Sequence, residues 1–316
     1  MAKNLAGLKL LAVAAMVFSV ASWLVPCASA DGFTLGGAAN YAVLYEGTGG
    51  HTLQITNVTI NGDIGVGGTG LATDSGPSII GGGINFSASN TGQFSNNNIG
   101  NVITRGVNYN VAAVTGALST VNALSTTLGG EAGTAITING NQTINASSGT
   151  LDAAGNEVFT VTSYTEGDGK VLTIIGNGHN VVLNLAMSGN PQLGGDVILT
   201  GGLTDGQVLW NYTGTKNLSL NNNASSYPLP DAFMGIILAP DAAISLVNAN
   251  LDGSVFGGDS SDMQIVSGTK DTITAPLLAA PEPGTIALLD SGLVGLLMLG
   301  GRRKRVLVLL MQELYS

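Results

Sequence analysis

The chain has 316 residues, of which 47 are Gly, 9% are charged and 5% are aromatic. Low charge with a positive mean hydropathy excludes a disordered chain, and Gly scattered without a three-residue period or a Pro excess excludes collagen. Within residues 31–284, four basic residues (Arg105, Lys170, Lys216 and Lys270) face eighteen acidic ones, and a net charge of −14 excludes a nucleic-acid-binding stripe.

The N-terminus reads as a secretion signal over residues 1–30. Lys3 and Lys9 form a basic start, residues 10–25 are apolar, and Ala28 and Ala30 stand where a signal peptidase recognises small residues before Asp31. The only cysteine, Cys27, falls inside this signal. The mature chain then has no thiol, which removes disulfides, thiolate metal sites and cysteine nucleophiles together. Pro26 before Cys27 argues against a lipoprotein reading, since a lipobox wants a small, flexible residue there.

From residue 31 to residue 276 short apolar–polar alternations recur, each closed by Gly or Asn. Leu53-Gln54-Ile55, Val58-Thr59-Ile60, Ile136-Thr137-Ile138, Val181-Val182-Leu183-Asn184-Leu185 and Ile244-Ser245-Leu246 are the clearest. Period-two alternation predicts strands with one face in and one face out, as in a sandwich, a barrel or a β-solenoid. An approximate repeat favours the solenoid. Ile60-Asn61-Gly62-Asp63-Ile64 matches Leu251-Asp252-Gly253-Ser254-Val255, as if one corner of a stacked coil returned. A single segment breaks the pattern: Val111, Val114, Leu118, Val121, Leu124 and Leu128 are spaced by three and four. That spacing predicts an amphipathic helix over residues 111–128, capped by Asn110 and ended by Gly129-Gly130, packed along the β body.

Two parts of the body resemble known families. Residues 35–44 (Leu-Gly-Gly-Ala-Ala-Asn-Tyr-Ala-Val-Leu) and 59–66 (Thr-Ile-Asn-Gly-Asp-Ile-Gly-Val) resemble the opening of bacterial ice-binding-like domains. Residues 205–214 and 235–242 resemble the end of choice-of-anchor A, collagen-binding-like modules. Both resemblances imply an all-β fold with one helix: a right-handed parallel β-solenoid (β-helix) with the amphipathic helix alongside. Their motifs are mostly turn and core residues, which specify a fold better than an activity.

Catalytic chemistry is sparse in this body. His51 and His179 each stand alone in Gly-rich stretches, and no His-x-x-x-His, Gly-x-Ser-x-Gly or phosphate loop occurs. Four scattered cations give a glycan-active β-helix enzyme little to build on. Asp259 and Asp262 with Ser260 and Ser261 offer oxygen ligands but lack the spacing of an EF-hand or a nonapeptide calcium repeat. No cofactor, metal site or catalytic residue is expected. Thr56, Thr59, Thr134, Thr137, Thr143, Thr160 and Thr162 could contribute to a flat ice-binding face, although no Thr-x-Thr column repeats from coil to coil.

The C-terminus carries the most specific signal. Residues 277–284 form a linker containing Pro281-Glu282-Pro283-Gly284; residues 285–301 are apolar; Arg302, Arg303, Lys304 and Arg305 follow at once. Such a helix spans ~25 Å, slightly short of a bilayer core, and its basic cluster stays cytoplasmic. Pro-Glu-Pro, an apolar helix and an arginine cluster resemble the PEP-CTERM sorting signal, which implies exosortase as a processing partner beside signal peptidase. Asp290 inside the apolar stretch and the extension over residues 306–316 depart from that pattern. Together these features predict an exported, non-enzymatic protein of the cell surface or extracellular matrix, adhesive or structural, with exopolysaccharide as a candidate partner and membrane contact only through the C-terminal helix. Ice binding is the alternative, and a glycan-active enzyme a more distant one.

Overall fold

A computed structural model describes residues 33–167, 169–222, 232–259 and 261–276. The signal segment, the Pro-Glu-Pro motif, the apolar C-terminal stretch and its basic cluster lie outside the described residues.

The body is a three-sided stack of parallel coils, the solenoid anticipated from the sequence. One face runs, in spatial order, through Thr134–Asn139, Asn156–Thr165, Asn180–Leu185, Val208–Asn211, Ile236–Ala239, Val255–Gly257, Tyr41–Tyr45, Asp63–Val66, Ile84–Ser87 and Val107–Val111. Spatial order therefore departs from chain order. The first strand, Tyr41–Tyr45, lies in the middle, with Val43 paired to Ile64 on one side and to Val255 on the other. The chain builds coils outward to Val111 and crosses to the opposite end through the helix Ala112–Gly129. It then builds back until Met263–Thr274 pairs with Thr52–Asn61.

The helix fits this crossing in length. It touches strands from Ile84–Ser87 to Asn180–Leu185, six strand steps apart. Six steps of ~4.8 Å make ~29 Å, against ~27 Å for eighteen helical residues at 1.5 Å each. Of the stripe expected from the spacing, Val114, Leu118, Val121 and Leu128 are buried and Leu124 is half-buried, while Val111 falls just before the helix and Ala117 joins the buried side. Fully burying each large member contributes about 1.5–3 kcal/mol. The expected cap is corrected: Val111 is the N-cap and makes no side-chain bond, while Asn110 has φ +60° and closes the preceding strand. Its side chain therefore stands one residue too early to reach the first-turn amides. Gly129-Gly130 does end the helix.

The helix covers the first face, and this changes how its strands are buried. Tyr41–Tyr45, Ile84–Ser87, Val208–Asn211 and Ile236–Ala239 are buried at every position. Alternate residues such as Val43, Ile64 and Ile237 enter the coil interior. Between them Leu44, Leu209, Leu238 and Phe256 form a second apolar layer outside that interior cluster. The one-in, one-out expectation for residues 181–185 is thus corrected, because all five are buried. Gly67 marks how close the helix comes: a β-carbon there would stand 2.2 Å from Leu118 Cδ1.

The repeat at Gly62 and Gly253 occupies equivalent corners. Both have φ +157°. A β-carbon on Gly253 would stand 1.9 Å from the Gly235 carbonyl oxygen of the neighbouring coil, so stacking as well as turning requires glycine there.

Candidate functional site: an uncharged ladder on an open face

A second face carries Gln192–Leu193, Leu218–Leu220, Ile244–Val247, the first half of Met263–Thr274, the first half of Thr52–Asn61, Leu71–Asp74 and Phe94–Asn96. Here alternation is clean: Leu53 and Ile55 are buried, Gln54 and Thr56 half-exposed. Parallel pairing in register stacks like positions, so the outward residues form a continuous ladder of Gln192, Ser219, Ser245, Gln264, Gln54, Thr73 and Ser95. Seven coils at ~4.8 Å give a row ~29 Å long. None of its side chains is charged.

The ladder is cross-linked at its middle. Gln264 Nε2 donates to Gln54 Oε1 at 3.3 Å, and Ser245 Oγ donates to Gln264 Oε1 at 3.5 Å. Gln54 Nε2 in turn donates to Asp262 Oδ2 at 2.9 Å. Beside it runs a shorter outward column, Val247, Val266 and Thr56. The face thus alternates amide and hydroxyl groups with small apolar ones and holds Gln54 and Gln264 in place.

The third face is less uniform. Its outward column runs Asn250, Thr272, Thr59, Ile79 and Val102, ending in two residues that are each about half exposed. Thr143 and Thr173 form a separate adjacent pair near the other end. The threonines singled out in the sequence are therefore divided among faces: Thr56 on the ladder face, Thr59 and Thr143 on the third, Thr134 at the covered face's far edge.

Acid and imidazole groups are tied into the scaffold. Asp262 accepts from the Thr52 amide and from Gln54, and its Oδ1 lies 3.6 Å from His51 Nδ1. Asp259 is bonded by Thr48 Oγ1. These carboxylates, weighed above as oxygen ligands, serve as turn and ladder partners. His179 Nδ1 meets the Gly155 carbonyl at 3.1 Å within a turn. Burial pushes the Glu46 carboxyl up to about 7, with Asn122 opposing and Asp259 and Asp241 reinforcing. Burial likewise pushes Asp74 up to about 6, against hydrogen bonds from Ser78 and Gly76. Among the described residues, neither acid forms a salt bridge. A cavity of about 370 Å³ beside the end of the helix is lined by Asn122, Ser125, Thr126, Thr213 and Asp241 among others, with one carboxylate and no cation among the described residues.

Sequence reasoning missed the ladder. Its seven residues come from seven strands scattered from residue 54 to residue 264, and only the pairing across the stack brings them together. Among the described residues, no helix is long and apolar enough to cross a membrane. The other sequence-derived positions (Ala28, Ala30, Pro281, Glu282, Pro283, Gly284 and Arg302, Arg303, Lys304, Arg305) lie outside the described residues.

Residues 28–265 match the family described as an ice-binding-like adhesive domain. Among solved structures, an ice-binding protein from the Antarctic ascomycete Antarctomyces psychrotrophicus is 19% identical, covering 75% of this chain and 100% of that one, with a TM-score of 0.41. One from an Antarctic Flavobacteriaceae bacterium is 20% identical, covering 78% of this chain and 48% of that one, at a TM-score of 0.48. One from Shewanella frigidimarina is 16% identical, covering 78% and 98%, at a TM-score of 0.46. No curated protein matches the chain.

Proposed function

From the premise that this chain belongs to the family of ice-binding-like adhesive domains, we propose that it is an exported, non-enzymatic adhesive module that binds extended hydroxylated matter through its ladder face. The observation that carries this reading is the seven-coil row of uncharged amide and hydroxyl groups. An exopolysaccharide chain presents hydroxyls along a comparable length. Each protein–sugar hydrogen bond contributes only about 0.5–1.5 kcal/mol net, so affinity comes from several made at once and from many copies displayed together. The absence of charge in the row suits a neutral glycan, whereas the acidic remainder of the surface repels a strongly anionic one.

Ice is the second reading. The family match supports it equally, and the paired Thr59–Thr272 and Thr143–Thr173 positions present methyl and hydroxyl groups at strand spacing. One experiment separates the two: retention on immobilised exopolysaccharide and thermal hysteresis, measured for the wild type and for Thr73→Lys and Ser245→Lys. Loss of retention in both variants, with unchanged circular dichroism and no hysteresis in the wild type, supports adhesion to glycan. Hysteresis without retention replaces it with ice binding.

Delivery follows the terminal signals. The secretion signal directs export, and the Pro281-Glu282-Pro283-Gly284 motif with Arg302–Arg305 marks the chain for exosortase, leaving the body at the surface or in the matrix. Intact mass from cells with and without exosortase tests this: both ends are lost only when the enzyme works. A C-terminus retained in both strains makes the chain a plain membrane-anchored protein.

A further inference from the structure

At the corner where the ladder face turns into the third face, oxygen atoms from neighbouring coils converge on one small space. Glu166, directly after the strand Asn156–Thr165, is only 7% exposed. Both of its carboxylate oxygens are buried and neither has a hydrogen-bond partner. A carboxylate this buried without a donor is costly, and natural structures seldom leave one so; burial raises its pKa, and the Lys170 charge only partly opposes this.

The next coil brings Gly195 against it, with φ +70°. A β-carbon built on Gly195 would have three nearest neighbours, all oxygen: the Lys170 carbonyl at 2.8 Å, Glu166 Oε2 at 3.2 Å and the Gly167 carbonyl at 3.2 Å. On adjacent Gly194 it would meet the carbonyl oxygens of Asn221 at 2.9 Å and Glu166 at 3.1 Å. The Lys170 carbonyl accepts the Asp196 amide at 2.8 Å and the Gly167 carbonyl accepts the Lys170 amide at 3.1 Å, so each keeps a lone pair to offer. Tyr164 Oη donates to the Gly194 carbonyl at 2.7 Å and fixes the corner from inside. Glycine at position 195 keeps the space open.

We propose that this corner is a calcium site, with the Glu166 carboxylate as its charged ligand, the Gly167 and Lys170 carbonyls as neutral ligands, and water completing the shell. An all-oxygen set selects a hard cation over zinc or copper, and carbonyl ligands with a flexible carboxylate suit Ca²⁺ better than Mg²⁺, which holds its waters. Among the described residues no three acid or imidazole side chains converge on one point, so the site leans on the main chain. With one carboxylate in the set, the affinity falls in the range of extracellular modules, a Kd of about 10⁻⁴–10⁻³ M. Bound there, the ion ties Glu166, Gly167 and Lys170 to the coil that follows and rigidifies one edge of the ladder face.

The test uses the full chain, stripped with EDTA and titrated with CaCl₂ by calorimetry, with thermal unfolding followed in EDTA, Ca²⁺ and Mg²⁺. Terbium luminescence sensitised by Tyr164, whose ring lies 6.0 Å from that of Trp210, reports occupancy of this corner. Saturable Ca²⁺ binding that raises the unfolding temperature is expected. Glu166→Gln weakens it at least tenfold, Glu166→Asp weakens it less, and Asp74→Asn, at another buried acid, leaves it unchanged. Identical unfolding in EDTA and Ca²⁺ without saturable heat overturns the proposal, as does Ca²⁺ binding that survives Glu166→Gln. A wild type that binds no Ca²⁺ while Glu166→Gln unfolds at higher temperature identifies a buried, protonated carboxyl instead.

Discussion

The covered face and the ladder face are made of the same parallel strands, yet one is sealed on both sides and the other on one. Under the helix, successive residues such as Leu44 and Tyr45 are both fully buried; on the ladder, Gln54 lies half-exposed between buried Leu53 and Ile55. A strand covered on both sides must be apolar throughout or must satisfy every polar group it carries, whereas an open strand leaves alternate positions free to serve binding. The Asn184–Asn211–Ser125 group under the helix meets that condition, whereas the buried Ser87 Oγ has no hydrogen-bond partner. Asn211 Nδ2 donates to Asn184 Oδ1 at 2.9 Å and to the Ser125 carbonyl at 3.1 Å, Ser125 Oγ donates to Asn211 Oδ1 at 2.7 Å, and Asn184 Nδ2 donates to the Leu128 carbonyl at 2.7 Å. One face is packed on both sides, and the other leaves a polar row open to solvent.

The comparison breaks first under the helix. Leu118→Asp places an unpaired carboxylate between helix and sheet and is expected to cost about 4 kcal/mol or more, read as loss of cooperative unfolding in urea. Next comes pH. Asp74 is fully buried and its Oδ2 has no partner, with the carboxyl raised to about 6 from an unfolded value near 3.8. Below the unfolded value both states are protonated and the site costs nothing. As pH rises toward 6 the unfolded chain ionises first, so stability falls, and the full cost of about 3 kcal/mol is reached above pH 6. Asp74→Asn should therefore stabilise the protein at pH 8 and change little at pH 3.5. Glu46, raised to about 7, extends the same trend to higher pH.

Smaller effects sharpen the contrast. Asn211→Ala leaves Ser125 and Asn184 without a shared partner and should cost about 2 kcal/mol, measured by urea midpoint at constant slope. On the ladder, Thr73→Ala should stay within about 0.5 kcal/mol while lowering retention on exopolysaccharide. A ladder substitution that unfolds the protein would erase the division between the faces.

Much of the scaffold was legible in the sequence. Alternation located Thr52–Asn61, Thr134–Asn139 and Ile244–Val247 because an open strand writes its burial directly into every second residue. The three–four spacing from Val114 to Leu128 revealed the helix for the same reason. The covered strands were harder, since a run such as Ile236–Ala239 carries no period to read. The candidate site was not legible at all: Gln54 and Gln264 are adjacent in the ladder only because the last coil docks against the first.

By itself, then, the sequence determined many of the local elements and the lack of thiols in the body, because side-chain periodicity and composition act within a few residues. Only the tertiary structure decided the order of the coils, the choice of which face the helix seals, and the gathering of Glu166 with the carbonyls around Gly195. Those depend on contacts between residues far apart in the chain, where the gain from stacking one particular coil on another is written in no single segment.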